Sequence, residues 1–139
     1  MRVYVGTTFA GLRRLHLTSE LGPAPLLAHT VTPALREWYA EGDTEELEYV
    51  ALTAAAADSL ALLAGAPDEP RRRVVVAADV PDDAVQPAGD GRSQVRADAV
   101  VPIGKVASIH VDDPAADLDD ADGWELMWFA TQELPDLLA

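Results

Sequence analysis

Apolar residues fall at two different spacings along the chain, and the points where one spacing gives way to the other divide it into elements. Val3, Tyr4 and Val5 form a β-branched and aromatic run stopped by Gly6, which predicts a first strand over residues 2–5. Thr7 or Thr8 caps a helix running to about residue 20, with Phe9, Leu12, Leu15 and His16 at helical spacing. A turn carrying Pro23 and Pro25 leads to a second strand over 26–31, ended by Thr32-Pro33. Thr32 at the cap, Pro33 at the first helical position and Gly42 just past Glu41 bracket a short helix. Asp43 followed three residues later by Glu46 is a capping-box pattern, and the Ala- and Leu-rich segment behind it predicts a long helix closed by Gly65. The second half of that helix is apolar on nearly all sides, which predicts burial all round rather than along one stripe.

The second half of the chain reads as strands. Residues 73–80 are rich in Val without alternation, as in a strand covered on both faces. Residues 81–91 read as a long turn, and 94–101 and 106–111 as two strands joined by a short turn over 102–105. As a strand, residues 124–130 put Trp124, Leu126 and Trp128 on one face and Met127 and Phe129 on the other, a pattern of burial on both sides; a helix is the competing reading. Pro135 starts a terminal helical turn through Leu138. The order βαβααββββ, with no repeat and no linker, predicts one α+β domain over residues 1–139. Its single mixed or mostly antiparallel sheet is backed by helices, with the long Ala-rich helix buried against it.

Composition narrows the partners. The 139 residues carry ten Lys plus Arg against 24 Asp plus Glu, a net charge of −14, and 49% of them are hydrophobic. Nucleic acid and anionic membranes require an excess of cations, so neither is an expected partner. The chain is too apolar for intrinsic disorder. The absence of cysteine excludes disulfides, thiolate nucleophiles and Cys-ligated metals. The first residues lack the basic and long apolar regions of a signal peptide, and Asp58 sits inside the one long apolar run, so a cytoplasmic location is expected. The charge is unevenly spread: residues 41–70 hold eight acids and no base, and residues 111–139 hold nine acids and no base.

Few residues have spacings that imply chemistry. His16, His29 and His110 are scattered, and none stands at metal-ligand spacing from another. His110 and Asp112 fall on one side of a continuing strand, so a His–Asp pair is feasible there, as a structural bond or as an acid–base or metal group. The acidic run 112–122 fails as a calcium loop: with Gly123 at the sixth position, Leu118 and Phe129 stand where the first and last carboxylates belong. Gly6-Thr7-Thr8 and Thr30-Val31-Thr32 each pass from strand to helix, and if their ends converge they face one small anion with Arg36 assisting. Ordinary N-capping is the simpler reading. Arg71-Arg72-Arg73 neutralises an acidic segment or docks an acidic peptide. Ser19, Ser59, Ser93 and Ser108 lie in no nucleophile elbow. Asp58, alone among apolar neighbours, calls for an Arg partner or partial exposure. An exposed Trp38 or Trp124 would mark an interface.

Five stretches carry a resemblance to a known family. They are Val31-Thr32-Pro33-Ala34-Leu35-Arg36-Glu37-Trp38-Tyr39-Ala40, Glu45-Glu46-Leu47-Glu48-Tyr49, Arg72-Arg73-Val74-Val75-Val76-Ala77-Ala78-Asp79-Val80-Pro81-Asp82, Ser108-Ile109-His110-Val111-Asp112-Asp113 and Trp128-Phe129-Ala130-Thr131-Gln132-Glu133-Leu134-Pro135-Asp136-Leu137-Leu138. Together they resemble an uncharacterised family of small acidic actinobacterial proteins, a domain of unknown function, over almost the whole chain. The resemblance implies no activity. The chain departs from it between Asp113 and Trp124, where a longer acidic, Ala-rich insert is expected, so essential chemistry in that loop is not implied. The order of the opening elements and the Val-rich strand is also similar to ADP-ribosyltransferase-like folds, but Ser93-Gln94-Val95-Arg96 lacks the acid that such transferases need near a late strand.

The function expected from the sequence is that of a non-catalytic, acidic binding or regulatory protein acting by protein–protein docking or self-association, without metal or cofactor. The alternative is a small-ligand-binding protein or enzyme whose pocket is lined by Tyr4, Thr7, Thr30, Thr32, Arg36 and His110 and takes a small anionic ligand.

Overall fold

Residues 1–89 and 92–139 are described by a computed structural model. Its strands are β1 (Arg2–Thr7), β2 (Glu20–Leu21), β3 (Leu26–His29), β4 (Val74–Asp79), β5 (Val85–Pro87), β6 (Gln94–Ala97), β7 (Val101–Pro102), β8 (Val106–Val111) and β9 (Met127–Phe129). Its helices are α1 (Phe9–Thr18), α2 (Pro33–Trp38), α3 (Thr44–Ala64) and α4 (Leu134–Leu138). Seven strands form one antiparallel sheet in the order β5-β6-β3-β1-β4-β8-β9, and β2 and β7 pair separately as a two-stranded ribbon. The α+β class expected from the sequence holds.

Strand alternation sorts the core into two layers, one on each face of the sheet. Val3, Val5, Val74, Val76 and Ala78 pack with Phe9, Leu12 and Leu15 of α1 and Leu134 of α4. Tyr4, Val75 and Ala77 face the other way and pack against Ala51, Ala55 and Ala56 of α3. β4 is buried through five consecutive residues, as its unbroken apolar run predicts.

Small residues set the distance between α3 and the sheet. Gly6 lies directly beneath the helix, where an added methyl would overlap the Ala55 carbonyl oxygen and stand 2.8 Å from the Ser59 nitrogen. The buried Ser59 hydroxyl donates to the Thr7 carbonyl at 2.6 Å and accepts from the Val74 N–H at 2.9 Å, joining the helix to the ends of both central strands. Only one stripe of α3 is covered. Burial on all sides is therefore not what the sheet provides: Ala57, Ala61 and Leu62 stay exposed, because the apolar character of the second half comes from alanines that no second layer covers. The helix is long and apolar enough to cross a membrane, but its buried stripe is fixed to this sheet.

Both capped helix starts read from the sequence are present: Thr32 accepts from the Leu35 N–H at 3.0 Å, and Asp43 from the Glu46 N–H at 2.8 Å. Thr8 stands at the α1 cap position without a side-chain capping bond. Four short strands depart from the predicted elements, the first being β2, which takes Glu20 and Leu21 because α1 stops at Thr18, earlier than the predicted residue 20. β5 forms inside the predicted turn 81–91, of which residues 90 and 91 lie outside the described residues. The predicted strand 94–101 divides, because Val101 leaves the main sheet to pair with Leu21 of β2. Residues 127–129 form a strand, but at the sheet's edge, so Trp128 is 62% exposed instead of buried.

The three adjacent arginines have three separate structural tasks. Arg71 donates to the Leu63, Ala66 and Glu69 carbonyls at and beyond the end of α3. Arg72 reaches the Asp112 carbonyl at 2.9 Å and lies over the Phe9 ring. Arg73 forms a two-pronged pair with fully buried Asp112, Nε to Oδ2 at 2.8 Å and an outer nitrogen to Oδ1 at 2.9 Å. The acidic run thus begins with a buried clamp, not a solvated charge.

Two substitutions test this packing by urea denaturation. Gly6→Ala should lower stability by about 1–3 kcal/mol, because α3 must lift from β1 to admit the methyl. Asp112→Ala should cost about 3–5 kcal/mol by stranding the Arg73 guanidinium without its partner. Wild-type midpoints in both variants would contradict a close helix–sheet contact and a structural role for the buried clamp.

Candidate functional site

The six side chains singled out from the sequence do not converge. Tyr4 lies under α3, where its hydroxyl donates to Glu48 Oε2 at 3.4 Å; burial, with the Glu48 carboxylate beside it, pushes the phenol up to about 12. Thr30 is buried and donates to the Arg2 carbonyl at 2.6 Å, at the opposite end of β1 from Thr7. Thr32 caps α2 and also donates to the Arg92 carbonyl. Arg36 is exposed on α2. Because β1 and β3 run antiparallel, the starts of α1 and α2 are separated by the length of β1, roughly 15–20 Å at about 3.3 Å per residue. A shared anion site is therefore not formed.

The start of α1 already holds an internal anion. Glu69 accepts from the Ala10 N–H at 2.6 Å and from Arg13 at 2.8 Å. Burial pushes the Glu69 carboxyl up, but the bonds from Arg13 and the Ala10 N–H outweigh it and hold the group below its ordinary value.

His110 does not pair with Asp112. The strand ends at Val111, and Arg73 takes the Asp112 carboxylate; the half-buried imidazole instead shares a 2.9 Å hydrogen bond with Ser108. Burial lowers the His110 pKa, favouring the neutral ring. Among the described residues, no group of three His, Asp or Glu side chains is placed to hold a metal ion.

A different histidine is the centre of a polar array. His29 Nδ1 lies 2.8 Å from Ser93 Oγ, and its Nε2 lies 2.7 Å from Asp58 Oδ2. A carboxylate only accepts, so the neutral ring carries its proton on Nε2 and leaves Nδ1 to accept from the Ser93 hydroxyl. His29 and Ser93 are each 7% exposed, whereas the Asp58 side chain is 45% exposed. The isolated charge of Asp58 is thus met by partial exposure and by a histidine, not by an arginine.

Ser93 opens on a cavity of about 150 Å³ whose wall includes Leu35, Trp38, Tyr39, Val50 and Arg92. The Arg92 guanidinium lies over the Trp38 ring, 3.2 Å from its centre. Next to it, sharing Tyr39 and Val50, runs a groove of about 440 Å³ bounded by Gly42, Glu45, Glu46, Leu47 and Tyr49. Tyr39 and Tyr49, on the groove, are 43% and 55% exposed, and Trp38, on the neighbouring cavity wall, is 60% exposed.

The sequence profile of DUF6912, a family of unknown function, matches residues 1–138. The chain belongs to the DUF6912 family. No curated protein and no solved structure matches it. In this DUF6912 chain the residues that sequence reasoning missed are His29 and Ser93, which lie in a strand and a loop, far from Asp58 in the chain. Asp58 was the one available signal, since a lone acid in an apolar helix requires a polar partner somewhere in the fold.

Glu69 supplies a pH test. Its folded pKa is depressed, so its stabilisation is present above the unfolded value and lost as pH falls through the folded one. Glu69→Gln should cost about 1–2 kcal/mol at neutral pH. That difference from wild type should shrink toward zero as denaturation is repeated at pH values falling below 4.5. A gap that is independent of pH would refute this role.

Proposed function

We propose that this DUF6912 protein is a binding protein that docks a protein partner on the surface built by α2 and the first turns of α3. The observation that carries this reading is the pair of exposed tyrosines, Tyr39 and Tyr49, lining an apolar groove edged by Glu45 and Glu46, with exposed Trp38 next to Tyr39 in the chain. Aromatic side chains with one apolar and one polar aspect are the typical anchors of protein interfaces, and large apolar groups gathered on a surface otherwise cost solubility.

Charge defines the partner. Residues 41–48 hold Glu41, Asp43, Glu45, Glu46 and Glu48 with no base. Among the described residues no cation forms a salt bridge with any of these five. An apolar anchor flanked by Lys or Arg complements such a surface, while a second copy with a charge of −14 brings like charges together. The partner is therefore a basic, apolar segment of another protein. The same reading places the protein in the cytoplasm, its membrane-length helix already engaged by its own sheet.

Fluorescence anisotropy with labelled peptides that alternate Lys or Arg with Leu or Trp tests this reading. Binding should weaken at least about tenfold in Tyr39→Ala, the loss of about 1.4 kcal/mol or more expected of an anchor. It should also weaken in the charge reversal Glu45→Lys with Glu46→Lys, and fall with added salt. Peptides held equally well by Tyr39→Ala are held by charge alone, and that result would reject the groove.

A further inference from the structure

We infer that Ser93 is an activated nucleophile, with His29 as its general base and Asp58 as the group that orients and charges the base, and that it takes the acyl group of small esters. The inference goes beyond docking and does not depend on it.

The geometry supplies two of the elements of nucleophilic catalysis, a base beside the hydroxyl and an acid that orients the base. Ser93 Oγ stands 2.8 Å from His29 Nδ1, within proton-transfer distance, and Asp58 Oδ2 stands 2.7 Å from Nε2 on the far side of the ring. The backbone around the nucleophile is held independently of its side chain. The Ser93 carbonyl accepts from the Thr30 N–H at 2.9 Å, and the Arg92 carbonyl accepts from the Thr32 hydroxyl. The Ser93 hydroxyl is thus not needed to fix the loop, and it is aligned before any substrate arrives.

The cavity indicates the substrate. At about 150 Å³, open to solvent and walled by Leu35, Trp38, Tyr39 and Val50 together with Arg92, the depression beside Ser93 has room for an acyl group of a few carbons. Arg92, on the same wall with its guanidinium stacked on Trp38, adds positive charge beside the depression, which favours a substrate that becomes anionic as it reacts.

The steps balance. Ser93 Oγ bonds to the acyl carbon as its proton passes to His29 Nδ1, and the imidazolium is stabilised at Nε2 by ionised Asp58. The ester C–O bond then breaks, and the proton on Nδ1 goes to the departing alkoxide, releasing an alcohol. Water attacks the acyl-serine with His29 again as base, returning the carboxylic acid and the free hydroxyl.

The test is incubation of the full chain with p-nitrophenyl acetate, followed by intact mass spectrometry and peptide mapping. In samples quenched with acid during the first turnover one acetyl group on Ser93 is expected, with p-nitrophenolate released in step; release of p-nitrophenolate with no acetyl on Ser93 at any quench time would overturn the proposal. Ser93→Ala should remove that acetyl group, and His29→Gln should slow its formation by about a hundredfold or more, the usual contribution of a general base. Because the chain has no cysteine, Ser93→Cys provides a second measurement that keeps the array. Its single thiol should react with iodoacetamide well below the ordinary thiol pKa of about 8.5, and adding His29→Gln should return the profile to that value. Acetylation confined to other residues, or a position-93 thiol that titrates as a free cysteine, would overturn the proposal. Either result leaves the peptide-binding test of the groove unaffected.

Discussion

The closeness of α3 to β1 and β4 is the constraint on which the other features depend. The absence of a side chain at Gly6, and the short ones at Ala51, Ala55 and Ser59, let the helix lie almost on the strand backbones. At that distance a serine hydroxyl spans from the helix to both central strands, satisfying the Thr7 carbonyl and the Val74 N–H together. A bulkier stripe would raise the helix and leave these groups without partners in a dry interface, at a cost of about 1–3 kcal/mol each. The same height sets what Asp58 reaches. One residue before Ser59, it comes over β3 and meets the edge of the His29 ring.

The distribution of charge follows from which acids the fold uses. Arg2 pairs with Asp79, Arg13 with Glu69, Arg73 with Asp112 and Arg96 with Asp98, while the N-terminal ammonium meets Asp82. These pairs tie distant parts of the chain together or close a local turn, and they leave the start of α3 alone. Acids in the first turn of a helix are favoured by its dipole, so Glu45 and Glu46 are stable there without cations. The acidity beside Trp38, Tyr39 and Tyr49 therefore costs the fold little. It leaves the carboxylates at the start of α3 without salt-bridge partners among the described residues, beside the exposed aromatics of α2 and α3.

The sequence was legible where structure is decided locally. Thr32-Pro33 and Asp43 with Glu46 mark helix starts because a cap is a contact over three residues, and the Val-rich β4 declares itself because burial on both faces leaves no room for polar alternation. It was misleading where a count of apolar residues replaced their direction. The alanines of α3 are apolar all round, but only those facing the sheet are covered. The pairing of His110 with Asp112 assumed a strand continuing past Val111, and it overlooked that an arginine is a stronger partner for a buried carboxylate. β2, β5 and β7 hold two or three residues each, β5 and β7 including a proline, and they are strands only because a neighbour exists to pair with.

The meeting of positions 29, 58 and 93 is beyond reach of the sequence for a related reason: no local rule joins a strand residue, a helix residue and a loop residue until the sheet order is known. Once it is known, their meeting follows from two registers. β3 sets His29 beside Tyr4 on the α3 face of the sheet, and its pairing with β6 carries the loop before Gln94 to the same end of that strand. The long helix then contributes twice to this region of the surface. Its first turns supply the acidic, aromatic groove, and its middle supplies the carboxylate that holds the imidazole. Tyr39 and Val50 belong to the walls of both the groove and the Ser93 cavity. Any ligand that moves either side chain changes the shape of the space above Ser93. The aromatic surface and the polar array are thus two parts of one structural region, joined by the helix that Gly6 allows to lie so low.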